Sequence, residues 1–493
     1  MKRSTACILA LTSALLMSFA FPPFGLGFLA YVALIPLIVL TEKLSLRPLF
    51  FWTWFSGVVF FSITISWIRH VTWPGMILAV LVMAVFTALP FVIAGFVRMV
   101  YPRLWLFSLP FTLAGLEWIR SFDQLAFPWM ILGNSQTCYH WLIQFADITS
   151  AFGVSWWVAM VNVSIIFLAR RRCVSRIVFL CLLFLIPLVY SQVVIRTAHD
   201  TGKKITVALV QGNVLPDEKW DENMVLWNVN LYTTMSKNTM AYKPDLLIWP
   251  ETAVPTYLLE SPGYRFMIQN FVDFNGVPLL TGLPAIDFST QETWNAAGLF
   301  LPNENEVQRY DKMNLVPFGE AIPLDELFPG LRKLEWGQAN WCRGKETVVF
   351  TSKQLPPFNV AICFESIFPD LIRRFVVKGS QFITVITNDV WFGPRTSPVQ
   401  HAMISVMRAI EFHRPVVRCA NTGISMIIDP YGRIVKKTKT FERTTLIGTI
   451  SPQTGMTIYA RYGNLFSQGC FVFSLMLFLI SVYKKRHNTA RVV

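Results

Sequence analysis

The sequence predicts a polytopic α-helical membrane protein that carries a single α/β domain outside the bilayer. Three observations predict it: a composition poor in charge, apolar runs long enough to cross a membrane, and an internal stretch of ordinary polarity with short β-type runs. The chain has 493 residues, of which 54% are hydrophobic and only 15% charged, and a mean hydropathy of +0.47. Soluble domains carry roughly 25% charged residues, so the deficit points to the membrane and excludes disorder, coiled coil and collagen.

Apolar runs of the about 20 residues needed to span a bilayer are expected at 5–21, 24–40, 49–68, 75–97, 104–119, 152–169 and 177–195, with an eighth at 465–483. The domains are therefore expected at 1–196 (membrane, seven spans), 197–462 (soluble) and 463–493 (last span and basic tail). The stretch 121–150, with Trp129, Cys138, His140 and Trp141, is too polar for a span and reads as an outside loop lying in the interface through its aromatic residues.

The net charge of +14 raises nucleic-acid binding as a class, and its location removes it. Residues 197–462 hold 26 basic against 25 acidic side chains of the 43 and 29 in the chain. The excess lies on membrane loops and ends: Lys2, Arg3, Lys43, Arg47, Arg98, Arg103, Arg170, Arg171, Arg172, Arg176, Lys484, Lys485, Arg486 and Arg491 fall on one side. The opposite side has only Arg69, Arg120 and Arg196. Basic loops stay in the cytoplasm, so the soluble domain, reached after an odd number of spans, is placed outside it.

Within that domain, strands are expected at 205–211, 246–249, 278–282, 297–301, 360–363, 382–387, 425–428 and 446–450, with helices at 224–240, 369–377 and 398–411. Asp429-Pro430-Tyr431-Gly432 reads as a turn between two strands. Alternating strand and helix argues for a layered α/β domain. Of the eight cysteines, Cys342, Cys363 and Cys419 belong to it, an odd set that is no disulfide framework. Without CxxC, HExxH, clustered histidine, GxGxxG or a P-loop, neither a metal nor another cofactor is expected.

Reactive side chains stand at strand ends. A strand runs into Trp249-Pro250-Glu251; Tyr310-Asp311-Lys312 opens a loop continuing to Leu315-Val316-Pro317-Phe318-Gly319-Glu320; a third strand delivers Ile362-Cys363-Phe364-Glu365. If a helix begins at Cys363, its positive N-terminal end lowers the thiol pKa. Taken singly, Cys363 is also a small core residue, Glu251 a solvated or capping carboxylate and Lys312 a surface cation. It is the conjunction of the three, in order, that points to nucleophilic acyl chemistry.

These strings, with Gln211-Gly212-Asn213 and Asn388-Asp389-Val390-Trp391-Phe392-Gly393, resemble the nitrilase superfamily. With seven spans before the domain and one after, the whole chain is similar to the apolipoprotein N-acyltransferases of bacterial inner membranes. The resemblance implies an α-β-β-α sandwich, with Glu251 as general base, Lys312 as cationic stabiliser and Cys363 as nucleophile. It further implies that Glu320 and Glu365 orient Lys312 or its loop, with ordinary salt-bridging carboxylates the alternative. Trp220, Asn388 and Trp391 are placed near the substrate, although a core tryptophan is an equally open reading for Trp220 and Trp391. Many relatives have tyrosine after the nucleophile; this chain has Phe364, whose backbone N–H is expected to join Lys312 in meeting the oxyanion.

The implied reaction moves a fatty acyl chain from a phospholipid of the bilayer to the N-terminal amine of a diacylglyceryl-cysteine apolipoprotein, through a thioester on Cys363. The apolar loops 254–259 and 324–336 are expected to dip into the interface or gate entry, or else to pack as ordinary buried loops. Two other readings stand beside this one: a membrane-tethered amidase or nitrile hydrolase with water as acceptor, and a channel, transporter or scaffold with an inert domain. The scarcity of ionisable residues in the spans weighs against the last.

Overall fold

The structure, a computed structural model, describes residues 1–490 except Asp123, Leu125, 198–202, Trp220, 324–339, Pro394 and Arg395; for Asp217, Glu222, Trp391, Phe392 and 488–490 it describes the backbone alone. Its contacts divide the chain into a helical unit (Met1–Arg69, Trp73–Thr197, Tyr462–Val493) and an α/β unit (His70–Thr72, Ala198–Arg461).

In the helical unit, six described helices are long and apolar enough to cross a membrane: Arg3–Ala20, Leu46–Thr64, Trp73–Val100, Ala146–Arg170, Val174–Arg196 and Leu465–His487. Trp105–Ile119 is apolar but shorter. The run expected as one span at 24–40 is instead broken into Ala30–Ala33 and Ile35–Lys43. Pro36 has no N–H for a continuing helix, and the buried Asn162 bridges the break. Its Nδ2 donates to the Ala30 carbonyl at 2.8 Å and its Oδ1 accepts from Leu34 N at 2.9 Å. In a bilayer every such backbone group needs a partner from the protein. The stretch expected as an interfacial loop holds a 3-10 segment, Leu132–Tyr139, with residues 132–137 buried. Gln136 Nε2 there donates to the Gly27 carbonyl at 2.9 Å.

Among the described residues the α/β unit has twelve strands: β1 (Ile205–Gln211), β2 (Leu246–Ile248), β3 (Leu279–Asp287), β4 (Glu292–Phe300), β5 (Gln308–Asp311), β6 (Val349–Phe350), β7 (Phe358–Ile362), β8 (Phe382–Thr387), β9 (Val416–Ala420), β10 (Met426–Ile428), β11 (Ile434–Lys437) and β12 (Thr444–Ile450). They form two six-stranded sheets, β12-β1-β2-β3-β4-β5 and β11-β10-β9-β8-β7-β6. The parallel pairs β1–β2–β3 and β7–β8–β9 occupy the middle of each sheet. Their burial on both faces explains the near-continuous apolar sequence of β1, β2, β7 and β8.

Helices Val225–Lys237 and Pro262–Asn275 cover the first sheet, where Val225, Val229, Ile268, Phe271 and Val272 join one core with Ala208, Leu247, Leu279 and Phe300. Pro369–Val377 and Ser397–Phe412 belong with the second. The result is the α-β-β-α layering. The Asp429–Gly432 turn joins β10 to β11 as expected: the Gly432 N–H donates to the Asp429 carbonyl at 3.1 Å. Four strands escape the sequence pattern for physical reasons. β5 and β6 are short, β11 is half lysine, and β9 carries Arg418 at its centre, fully buried.

Candidate active site

Parallel strands end on the same side of their sheets, so side chains just past their C-terminal ends converge. Glu251 follows β2, Lys312 follows β5 and Cys363 follows β7. The first two therefore come from one sheet and the thiol from the other.

Lys312 is fully buried, and its Nζ donates to Glu320 Oε1 at 2.8 Å and to Glu251 Oε1 at 3.4 Å. Burial alone disfavours its charge, yet Glu320, then Glu251 and Cys363, hold its pKa above the usual lysine value. Glu251 is fixed on every side. Asn295 Nδ2 donates to Oε1 at 2.8 Å, the Asn388 backbone N–H donates to Oε2 at 2.8 Å, and Lys219 Nζ donates to the main-chain carbonyl at 2.9 Å. Gly282 makes this packing possible, since a Cβ there would lie 2.5 Å from Thr252 N and 2.6 Å from Glu251 Cα.

Cys363 is buried and sits at φ +53°, a left-handed conformation rare for a non-glycine residue. It opens a five-residue 3-10 segment, and the α-helix begins only at Pro369. Burial pushes the thiol well above the usual cysteine range, with the Glu251 carboxylate adding to the rise and the Lys312 ammonium opposing it. This runs against the expectation of a thiol acidified by a helix end: burial and the neighbouring carboxylate raise its pKa instead.

Glu320 and Glu365 do different things. Glu320 holds Lys312 directly and also accepts from Asn295 Nδ2 at 3.0 Å and Val316 N at 2.8 Å. Glu365, fully buried, does not bond the ammonium. Its Oε1 accepts from Tyr310 Oη at 2.7 Å, Met313 N at 2.7 Å and Asn314 N at 3.1 Å, and its Oε2 accepts from Ile362 N at 2.8 Å. It thus ties the loop after Lys312 to the strand end before Cys363. Phe364 packs edge-on against Phe368, with centroids 5.1 Å apart. Asn388 turns its side chain to Asn421, whose Nδ2 donates to its Oδ1 at 3.0 Å. Trp220 and the loop 324–336 lie outside the described residues, as does the Trp391 side chain.

Residues 13–164 match the model of the apolipoprotein N-acyltransferase N-terminal domain, and residues 206–459 match that of carbon-nitrogen hydrolase. The chain is 35% identical to the apolipoprotein N-acyltransferase of Chlorobaculum tepidum, with 97% of each chain covered. It is 33% identical to that of Geobacter metallireducens, over 94% of this chain and 92% of the relative. The chain belongs to the apolipoprotein N-acyltransferase family. Among solved structures it is similar to Saccharomyces cerevisiae Nit3, a member of branch 10 of the nitrilase superfamily, at 18% identity and a TM-score of 0.41, over 52% of this chain and 93% of that one.

In this apolipoprotein N-acyltransferase family member, sequence reasoning missed Asn295, Lys219 and a buried cluster of Asp389, His401 and Arg418. Asn295 carries no local signal, being one polar residue of β4. Arg418 does, because a charged residue in the middle of an apolar run demands a buried partner. That partner is Asp389, with Arg418 Nη2 donating to Oδ2 at 2.9 Å. Although burial opposes its charge, Arg418 and His401 hold the Asp389 carboxyl at about 2. Cys363, Asp389 and His401 lie within 4.8 Å of one another through ligand-type atoms.

Proposed function

We propose that the chain is an acyltransferase that carries a fatty acyl chain from a membrane phospholipid to the N-terminal amine of a diacylglyceryl-cysteine apolipoprotein, using Glu251, Lys312 and Cys363. The observation that carries this reading is the convergence, at the ends of three strands from two sheets, of a buried thiol, a carboxylate and an ammonium, the last two 3.4 Å apart. In the proposed sequence the Glu251 carboxylate removes the Cys363 proton and the thiolate attacks the ester carbonyl carbon. The oxyanion forms beside the Lys312 ammonium, whose charge Glu320 maintains. Collapse breaks the ester C–O bond, the Glu251 proton goes to the departing lysophospholipid alkoxide, and the acyl group remains as a thioester. The incoming amine attacks that thioester, Glu251 takes an amine proton, and the thiolate leaves and is reprotonated. The product is an amide.

The positive-inside pattern supports placing this domain on the periplasmic face of a bacterial inner membrane, with 1–196 and 463–493 as membrane parts around a 197–462 catalytic domain. The Asn388 backbone N–H, bonded to Glu251, belongs to the same machinery as a positioning group; Trp220 and Trp391 stay proposed as substrate contacts. The test is incubation of the full chain with phospholipid and a diacylglyceryl peptide. The wild type accumulates an acyl thioester on Cys363, and Cys363→Ala forms neither thioester nor N-acyl peptide. An acyl group mapped by mass spectrometry to Cys342 or Cys419 overturns the assignment. Free fatty acid without N-acyl peptide would favour a hydrolase built on the same three groups.

A further inference from the structure

One buried cluster beside Cys363 has no part in the steps above. His401, on the helix Ser397–Phe412, is fully buried, as are Asp389, Ser366 and Arg418. The His401 Nε2 lies 3.0 Å from the Cys363 carbonyl oxygen and 2.9 Å from Ser366 Oγ. A carbonyl has no proton to give, so this contact requires an N–H at Nε2. Ser366 Oγ donates to the same carbonyl at 2.9 Å. On the other side of the ring, Nδ1 lies 2.9 Å from Asp389 Oδ1 and 3.0 Å from Arg418 Nη2. Thr387 Oγ1 donates to Asp389 Oδ1 at 3.0 Å. The chain passes close to Asp389 only because residue 423 is glycine: a Cβ there would lie 2.0 Å from Oδ2.

We propose that His401, buried against Asp389 and Arg418, is a positioning residue that acts through the Cys363 carbonyl to aim the nucleophile. The inference rests on Cys363 being the nucleophile. A left-handed cysteine is a strained conformation that persists only where its surroundings over-determine it, and the carbonyl clamp is the over-determining contact. Holding that oxygen fixes ψ of Cys363, which together with φ +53° sets the direction of the Cα–Cβ bond. It also fixes the plane of the following peptide, because the C=O and N–H of a trans peptide point in opposite directions. A ring free to turn would release the carbonyl and let the sulfur move off the line of attack. Misplacing a reacting atom by about 1 Å costs on the order of 100-fold in rate.

The experiment uses the full chain with phospholipid donor and diacylglyceryl peptide, rates being expressed per folded molecule and Cys363→Ala run alongside. His401→Ala is expected to slow thioester formation on the order of 100-fold while leaving KM for the donor within about twofold. His401→Gln, whose amide N–H reaches the place of Nε2, is expected to recover about tenfold of that loss, whereas His401→Asn, which mimics Nδ1, recovers little. Ser366→Ala removes the other donor to the carbonyl and is expected to cost about tenfold; it decides the matter if His401→Ala does not fold. Thioester formation at the wild-type rate in His401→Ala, or in Ser366→Ala where His401→Ala does not fold, or a loss seen in KM alone, overturns the proposal. An active Cys363→Ala instead overturns the assignment of the nucleophile, so the two failures are distinguishable.

Discussion

Lys312 is bound more closely to Glu320 than to Glu251: its Nζ lies 2.8 Å from Glu320 Oε1. With Glu251 at 3.4 Å, the buried ammonium lies between two carboxylates. Glu320→Gln keeps an acceptor for Val316 N but removes the charge. We expect a stability loss of about 1.5–3 kcal/mol and a fall in kcat with little change in KM. Denaturation midpoints in detergent and steady-state acylation measure the two.

Glu365→Gln puts an amide where four donors converge, those of Tyr310, Met313, Asn314 and Ile362. At least one donor then faces another donor, a cost of about 3 kcal/mol in a fully buried site. The expected outcome is a lower unfolding midpoint together with about a tenfold or greater loss of kcat. Wild-type stability in this variant would contradict the role given to Glu365.

Gly282→Ala tests the packing behind Glu251. A Cβ at 2.5 Å from Thr252 N meets backbone, which cannot yield as a flexible side chain would. Overpacking of this kind costs about 1–3 kcal/mol, and displacement of Glu251 is expected to lower thioester formation on the order of 100-fold. An Ala variant with normal single-turnover kinetics would contradict the role given to Gly282 in placing Glu251.

Glu251→Gln separates acidity from catalysis. The carboxylate raises the Cys363 pKa, so its removal makes the thiol more acidic and direct alkylation by iodoacetamide faster at a given pH. Acyl transfer is nonetheless expected to stop, because no base remains to take the proton. Acyl transfer at the wild-type rate in Glu251→Gln would count against Glu251 as the base.

Lys219 is buried, and burial lowers its pKa to about 7. Between about pH 7 and the usual lysine value near 10.4 the unfolded chain binds more protons at this position than the folded one, so its contribution makes stability rise with pH across that window. Below about pH 7 both states carry the charge and the burial penalty is present in full. Lys219→Met is expected to flatten that rise, read from denaturation midpoints at pH 7, 8.5 and 10.

Much of this protein is set by local sequence. Apolar runs determine the helices of the membrane unit, and the placement of basic residues is the pattern from which the side of the soluble stretch is proposed, because hydropathy and charge act over about 20 residues at a time. Polar residues at the ends of apolar strands determine where reactive groups can stand, and Glu251, Lys312 and Cys363 were legible on that ground. Tertiary structure alone decided what those groups experience. Lys312 meets a carboxylate 61 positions away and Glu251 a backbone N–H 137 positions away. Asp389, Arg418 and His401 come from three different elements to clamp one carbonyl's neighbourhood. The acidity of Cys363 went against its local setting, because desolvation and neighbouring charge depend on which chains close around a group. The same holds for the 24–40 run, broken where a distant Asn162 could satisfy the exposed backbone.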